Sequence, residues 1–409
     1  MKHLANFLLA AVFLVGLYCP TSVDTVQSRW LWAAPGFLAI AVLAIVILRY
    51  GLHAVPLVCA MVAMSSLLLF TAMTPLWSLT PGALLPYTAL LLLLCTDLSG
   101  VAYGRPLRFA WIAANILNIG LSALIVADSK PVKTFFISTY SAFYDQLVSS
   151  MLAAGKPVLT FASHSIAAFF FFVCFYLHLR TFTARRRNGS LLMAIVYLVL
   201  LVLLKSISAY CLFAAGAALL LYYTAGPRTV MILGSVAVVI CLAAVFVTAT
   251  QWDRGVASIW QVWNAPGSGF QGRYLEDGVL GQDLKYINEH PLQGVGIGYS
   301  ESLWYGDSGP IELLIRGSLP LLLAVYIGFW SFVRRSLVSK GMAIAVFLMY
   351  FGFEIAYSNL LYLRTVCVLP FVIVYLNGLS RRHAFEIQET HSPAVLRPRV
   401  SLPALPEYL

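Results

Sequence analysis

"YINEHPLQGVGIGYSESLWYGDSGPIELLIRGSLP", Tyr286 to Pro320, is a polar, glycine-rich stretch set between apolar sequence on both sides. Its charges and glycines interrupt a chain that otherwise reads as greasy helix. The fold depends on what the flanks are. If they cross a membrane, this stretch is a structured loop at its surface.

The composition supports membrane flanks. The chain is 61% hydrophobic and only 10% charged, whereas a soluble domain is about 25% charged. Apolar runs of about 20 residues, the span of a bilayer's hydrocarbon core, recur along its length. A β-barrel would instead show short alternating segments. The fold class is therefore an all-α polytopic integral membrane protein. The net charge of +10 is distributed among loops, with no basic soluble face for nucleic acid. The seven cysteines lie in or beside apolar runs without CxxC spacing. They read as small buried hydrophobes, not as a disulfide or metal framework.

Working outward, the pattern predicts twelve helices, near 4–19, 30–48, 54–73, 83–102, 107–127, 161–178, 190–204, 207–223, 229–250, 311–333, 341–362 and 365–380. Residues 4–19 read as a retained first helix, because "VGLYC" lacks the small residues of a cleavage site. Lys2, Arg49, Arg105, Arg108, the Arg180–Arg187 cluster, Arg228, Arg334, Arg335, Lys340, Arg381 and Arg382 all fall on one side. The positive-inside bias makes that side, and both termini, cytoplasmic. Residues 1–383 form a single transmembrane domain with outward loops near 128–160 and 251–310, and residues 384–409 read as a disordered, Pro-rich tail. The first outward loop has the three- and four-residue apolar spacing of an amphipathic surface helix.

The second outward loop carries the chemistry. Arg273 lies in it, while Lys205 and Arg316 sit beside or inside apolar helices. Cations in such places need a partner or a wet cavity. Each has a plain structural alternative: Arg316 reaches Glu312 at i,i+4, and Lys205 snorkels. The sharper expectation is that Lys205, Arg273 and Arg316 converge on a diphosphate. "GVGIG" is not a dinucleotide fingerprint; it reads as an anion nest of backbone amides or as a tight re-entrant turn. Asp307 opens a helix, as an N-cap or as a catalytic carboxylate. His164 and Glu301 are further candidates, His164 with a structural role as its alternative.

Arg273, then "HPLQGVGIG", then a polar pair opening a helix with "LLIRGSLPLLL", resembles the superfamily of O-antigen ligases and polysaccharide polymerases. The resemblance covers most of the chain in topology and is concentrated in residues 270–320. It implies a GT-C-like membrane fold with one large periplasmic loop, in a bacterial inner membrane. Arg273 looks like the family's diphosphate-binding arginine, and Lys205 stands where the family usually has an arginine. Where the ligases carry a His-Asn pair, this chain has "DSG" from Asp307. That pattern looks more like the exopolysaccharide polymerase branch, as does "GKPVLTFASHS".

The resemblance implies metal-independent glycosyl transfer without a cofactor. An undecaprenyl-diphosphate-linked chain is the donor, and the next lipid-linked repeat is the acceptor. Asp307, His164 and Glu301 are the candidate bases; Arg273, Lys205 and Arg316 are the candidate diphosphate ligands. The partners are these lipid-linked oligosaccharides and membrane lipid, with room for a chain-length regulator. The alternatives are an O-antigen ligase, a flippase or secondary transporter, and a non-catalytic assembly subunit.

Overall fold

The computed structural model describes residues 2–19, 30–74, 78–79, 84–161, 163–225, 278, 280–299, 303, 308–355 and 357–391. The first half contains α1 (Lys2–Tyr18), α2 (Trp30–Tyr50), α3 (Ala54–Met73), β1 (Ser78–Leu79), α4 (Leu84–Cys95), α5 (Arg105–Val126) and α6 (Lys130–Ala153). Then follow α7 (His164–Arg185), α8 (Asn188–Leu203) and α9 (Ile207–Ala225). After a gap in the described residues come α10 (Gly281–Glu289), β2 (Gly298–Tyr299), α11 (Gly309–Ser336), α12 (Lys340–Glu354) and α13 (Leu363–His391). The expected helix at 229–250 lies outside the described residues.

The molecule is an α-helical membrane protein. Among the described residues, five helices are long and apolar enough to cross a membrane: α3, α5, α7, α11 and the Leu363–Arg381 part of α13. Helices satisfy every backbone group internally, which the bilayer core demands. The spans of α7 and α13 are 89% buried, those of α3 and α5 only 33% and 39%. The centre is therefore α7 and α13, and α3 and α5 present side chains outward. Packed pairs are α3 with α11, α7 with α8 and α9, and α1 with α5 and α13.

The loops rich in arginine meet at one end. Arg381 Nη2 donates to Ser99 O. Asn377 holds the α11–α12 turn, donating to Ser336 O at 2.6 Å and accepting from Val338 N at 3.1 Å. Asn6 Oδ1 accepts from Gly104 N at 3.2 Å.

A buried polar cluster ties the middle together. Tyr197 Oη donates to Asn115 Oδ1 at 2.8 Å, and His178 Nε2 lies 2.8 Å from the same oxygen. An amide oxygen only accepts, so Nε2 carries the proton. Asn115 Nδ2 closes back on Trp111 O at 2.7 Å. Tyr18 Oη reaches Asn118 Oδ1 at 2.9 Å, joining α1 to α5.

Some boundaries differ from those the sequence predicts. α4 stops at Cys95 rather than 102, because Asp97 Oδ1 takes the Ser99 N–H in a local turn. α13 runs to His391 rather than 380. "RRHAFEIQETH" is polar but rich in helix formers, so the helix continues past its apolar part. The segment expected to be a surface helix contains α6, whose Phe136, Tyr140 and Leu152 are buried.

Candidate functional site

The site lies at the end remote from the arginine-rich loops. Its floor is the stretch quoted at the outset. α11 is broken near its start: Gly317 has φ −141° and Ser318 φ 55°, and Pro320 follows. Proline has no N–H for the carbonyl four residues back, so the break frees the carbonyls of Ile315 and Arg316. "GVGIG" supplies the replacements. Val295 N donates to Ile315 O at 2.7 Å and Gly296 N to Arg316 O at 2.8 Å. Ser66 Oγ bonds Gly317 O at 2.6 Å. Ile297 N then reaches Thr71 Oγ1 at 3.0 Å, and β2 pairs antiparallel with β1. Gly296 has φ +60°, and a Cβ there would fall 2.1 Å from Thr71 Oγ1, so both conformation and space require glycine.

Of the two sequence readings, the geometry is that of the re-entrant turn. The amides of Val295, Gly296 and Ile297 are used within the protein. Arg316 serves the same turn: it is 5% exposed, and its Nη1 donates to Gly296 O at 3.2 Å and Gly298 O at 2.8 Å. The sequence offers Arg316 either to an anion or to Glu312; in the structure its Nη1 serves the turn, because the carbonyls of a non-helical segment need buried donors. Leu280, Val295, Leu303, Ile311 and Ile315 form a small separate core beneath the loop.

At the same end of the bundle, two lysines and a histidine from separate segments come together. His164 begins α7, Lys205 lies between α8 and α9, and Lys156 lies in the segment before α7. Ser165 Oγ and Ser208 Oγ, 3.2 Å apart, fasten the first turns of α7 and α9. That contact brings His164 and Lys205 to one mouth. Lys205 is exposed with φ +49°, so α8 and α9 do not merge into one helix. Burial, and then the Lys205 ammonium, hold the Lys156 ammonium below the ordinary lysine range. Lys156 also acts electrostatically on His164. His164 Nδ1 is buried and makes no hydrogen bond among the described residues. The structure therefore joins two of the sequence candidates, His164 and Lys205, and adds Lys156.

Two buried ionisable side chains at this end were missed by the sequence reading. Arg364 is 0% exposed. It donates to Leu17 O at 3.1 Å, Cys19 O at 3.1 Å and Thr160 Oγ1 at 2.8 Å, and lies 5.1 Å from the centre of the Phe161 ring. It thus clamps the end of α1 to the segment carrying Lys156. The signal was an arginine on the arginine-poor side, where the positive-inside bias makes one unusual.

Glu354, 1% exposed, is the second. It accepts from Leu360 N and, at 3.3 Å, from Tyr326 Oη. A Cβ on Gly309 would meet its Oε2 at 1.5 Å, so only glycine fits beside it. Glu312 acts on it electrostatically, which puts two carboxyl groups at the start of α11. Its signal was a lone carboxylate inside the run "YFGFEIAY". α7 packs against the end of α12 that carries Glu354, with the Phe169 ring 4.8 Å from that of Phe353.

Arg273, Glu301 and Asp307 lie outside the described residues. Ser308, at the cap position of α11, makes no side-chain cap bond. Compared with family models, curated proteins and solved structures, the chain finds no match.

Proposed function

We propose that the protein is a polysaccharide polymerase. It joins undecaprenyl-diphosphate-linked repeat units by glycosyl transfer at the periplasmic face of a bacterial inner membrane. The observation that carries this reading is the convergence of Lys156 and Lys205, with His164 next to them, at the end of the bundle that also holds the glycine-rich turn. That is a cationic mouth at a bundle end, where the diphosphate of a membrane-held lipid would lie. The resemblance in residues 270–320 supplies the reaction class. The finer architecture, twelve crossings of GT-C-like kind with both termini cytoplasmic, belongs to the same proposal.

In this reading a hydroxyl oxygen of the acceptor sugar attacks the anomeric carbon of the donor. The new C–O bond forms as the bond from that carbon to the diphosphate oxygen breaks. The bonding pair leaves with undecaprenyl diphosphate. Lys156, Lys205 and Arg273 stabilise the growing negative charge, and preorganised cations at such a place lower the barrier. The hydroxyl proton passes to a general base, with Asp307 first and His164 and Glu301 behind it. Arg316 acts as a positioning residue that keeps the turn closed. Glu354 packs on Gly309 at the start of α11.

The test is deletion of the gene in its own host, followed by sizing of the lipid-linked glycans. The expected result is accumulation of single repeat units with polymer lost. Long lipid-linked chains that never reach lipid A would make it a ligase. Repeats trapped on the cytoplasmic side would make it a flippase.

A further inference from the structure

We infer that a groove between α1 and α5, at the arginine-rich end, binds an anionic glycerophospholipid. The cavity has a volume of about 510 Å3, within the range of roughly 300–1,000 Å3 for small-molecule sites. Phe7, Ala10 and Leu14 of α1 form one wall, and Phe109 and Ala110 of α5 form the other. Arg105 stands at the rim.

Side-chain size explains the shape. The alanines leave a trough between the two helices, and the two aromatic rings flank it without filling it. Phe7 is 62% and Phe109 73% exposed. From Phe7 to Leu14 the trough runs seven residues, about 10 Å at 1.5 Å per residue. That accommodates about two thirds of an acyl chain, since each leaflet fills about half of a hydrocarbon core of about 30 Å.

Charge selects the occupant. Arg105 and Arg108 are both exposed and lie one turn apart on α5. Arg105 makes no ion pair among the described residues. Neither helix has an acidic residue in its first turn. Asn6, the nearby polar side chain of α1, accepts from Gly104 N. An apolar trough whose rim carries a guanidinium suits a molecule with acyl chains and a phosphate diester head. Guanidinium groups bind such phosphates through paired N–H donors. A neutral zwitterionic head offers a weaker match, and a free phosphate leaves the trough empty. The site is at the opposite end of the bundle from Lys156 and Lys205, so it does not rest on the polymerase reading.

The experiment is thermal unfolding of the delipidated full-length protein in detergent. The probes are dioleoyl phosphatidylglycerol, dioleoyl phosphatidylcholine and glycerol phosphate. Phosphatidylglycerol is expected to raise the midpoint by several degrees more than phosphatidylcholine does. Arg105→Gln is expected to remove that advantage, leaving the midpoint without lipid unchanged. Ala10→Trp, which fills the trough, is expected to remove the response to both lipids. Equal shifts from the two lipids, an advantage that survives Arg105→Gln, or a full shift with glycerol phosphate alone would overturn the inference.

Discussion

Helices α3 and α7 are both long enough to cross a bilayer, yet the more apolar of the two is the more exposed. The span of α3 is 33% buried and that of α7 is 89% buried. α7 carries two histidines, His164 and His178, and two arginines, Arg180 and Arg185; α3 has no ionisable side chain besides Cys59. In lipid, a leucine gains little by leaving the surface, because the hydrocarbon tails are as apolar as it is. A histidine or arginine must be enclosed and given partners. Polar content therefore locates the centre of this bundle better than hydrophobicity does.

The contrast can be broken by substitution. The largest effect is expected at Arg364, whose removal takes the guanidinium donor from Cys19 O and Thr160 Oγ1, while Leu17 O keeps the Thr160 hydroxyl. Hydrogen bonds to a charged group are worth about 1.5–3 kcal/mol each. Arg364→Ala should therefore cost about 4 kcal/mol, read as a lowered unfolding midpoint in detergent, with Arg364→Lys recovering part of it. A full-strength midpoint for Arg364→Ala would mean the clamp is dispensable.

Packing comes next. Phe169 on α7 is 0% exposed and touches Tyr350 and Phe353, whereas Leu68 on α3 is 53% exposed. Phe169→Ala should cost about 3 kcal/mol, and Leu68→Ala should stay within about 0.5 kcal/mol. Equal losses, measured by the same unfolding assay, would remove the distinction between central and peripheral helices.

At the site, the proposed polymerase reaction requires that Lys156→Ala slow the joining of lipid-linked repeats by about 100-fold, the usual loss when one charge-stabilising group is deleted. Gel sizing of the product ladder is the readout. The smallest effect concerns pH. Burial and the Lys205 ammonium favour the neutral form of Lys156, so Lys156 loses its proton at a lower pH than a free lysine. Turnover should fall on the alkaline side of neutrality. In Lys205→Ala one of the two causes is gone, and the alkaline limb of the residual activity should move to higher pH. A limb that moves down, or stays, would mean the two ammonium groups do not interact.

The sequence made the membrane fold legible, because apolar run length is a direct statement about bilayer thickness. α3 occupies the residues 54–73 that its run predicts. Ends set by a single polar turn, as at Asp97, were not legible. Nor was the far end of α13, where propensity outlasts hydrophobicity. At the site, His164 and Lys205 stood out as lone polar groups in apolar surroundings. Lys156 did not, since in "GKP" it looks like an ordinary loop residue. What Arg364 and Arg316 do needed the structure, because most of their partners are backbone carbonyls far away in sequence. Leu17 is 347 residues from Arg364 in sequence, and no local pattern reports such a contact.

The central claim is that Lys156 and Lys205 hold the diphosphate of a membrane-bound lipid. The most direct measurement is the affinity of the purified full-length protein for undecaprenyl diphosphate, with and without Lys156→Gln and Lys205→Gln together. Loss of two charge-assisted contacts, about 3 kcal/mol in all, predicts binding roughly 100-fold weaker. Unchanged affinity in a correctly folded double variant would contradict the claim and move the diphosphate elsewhere.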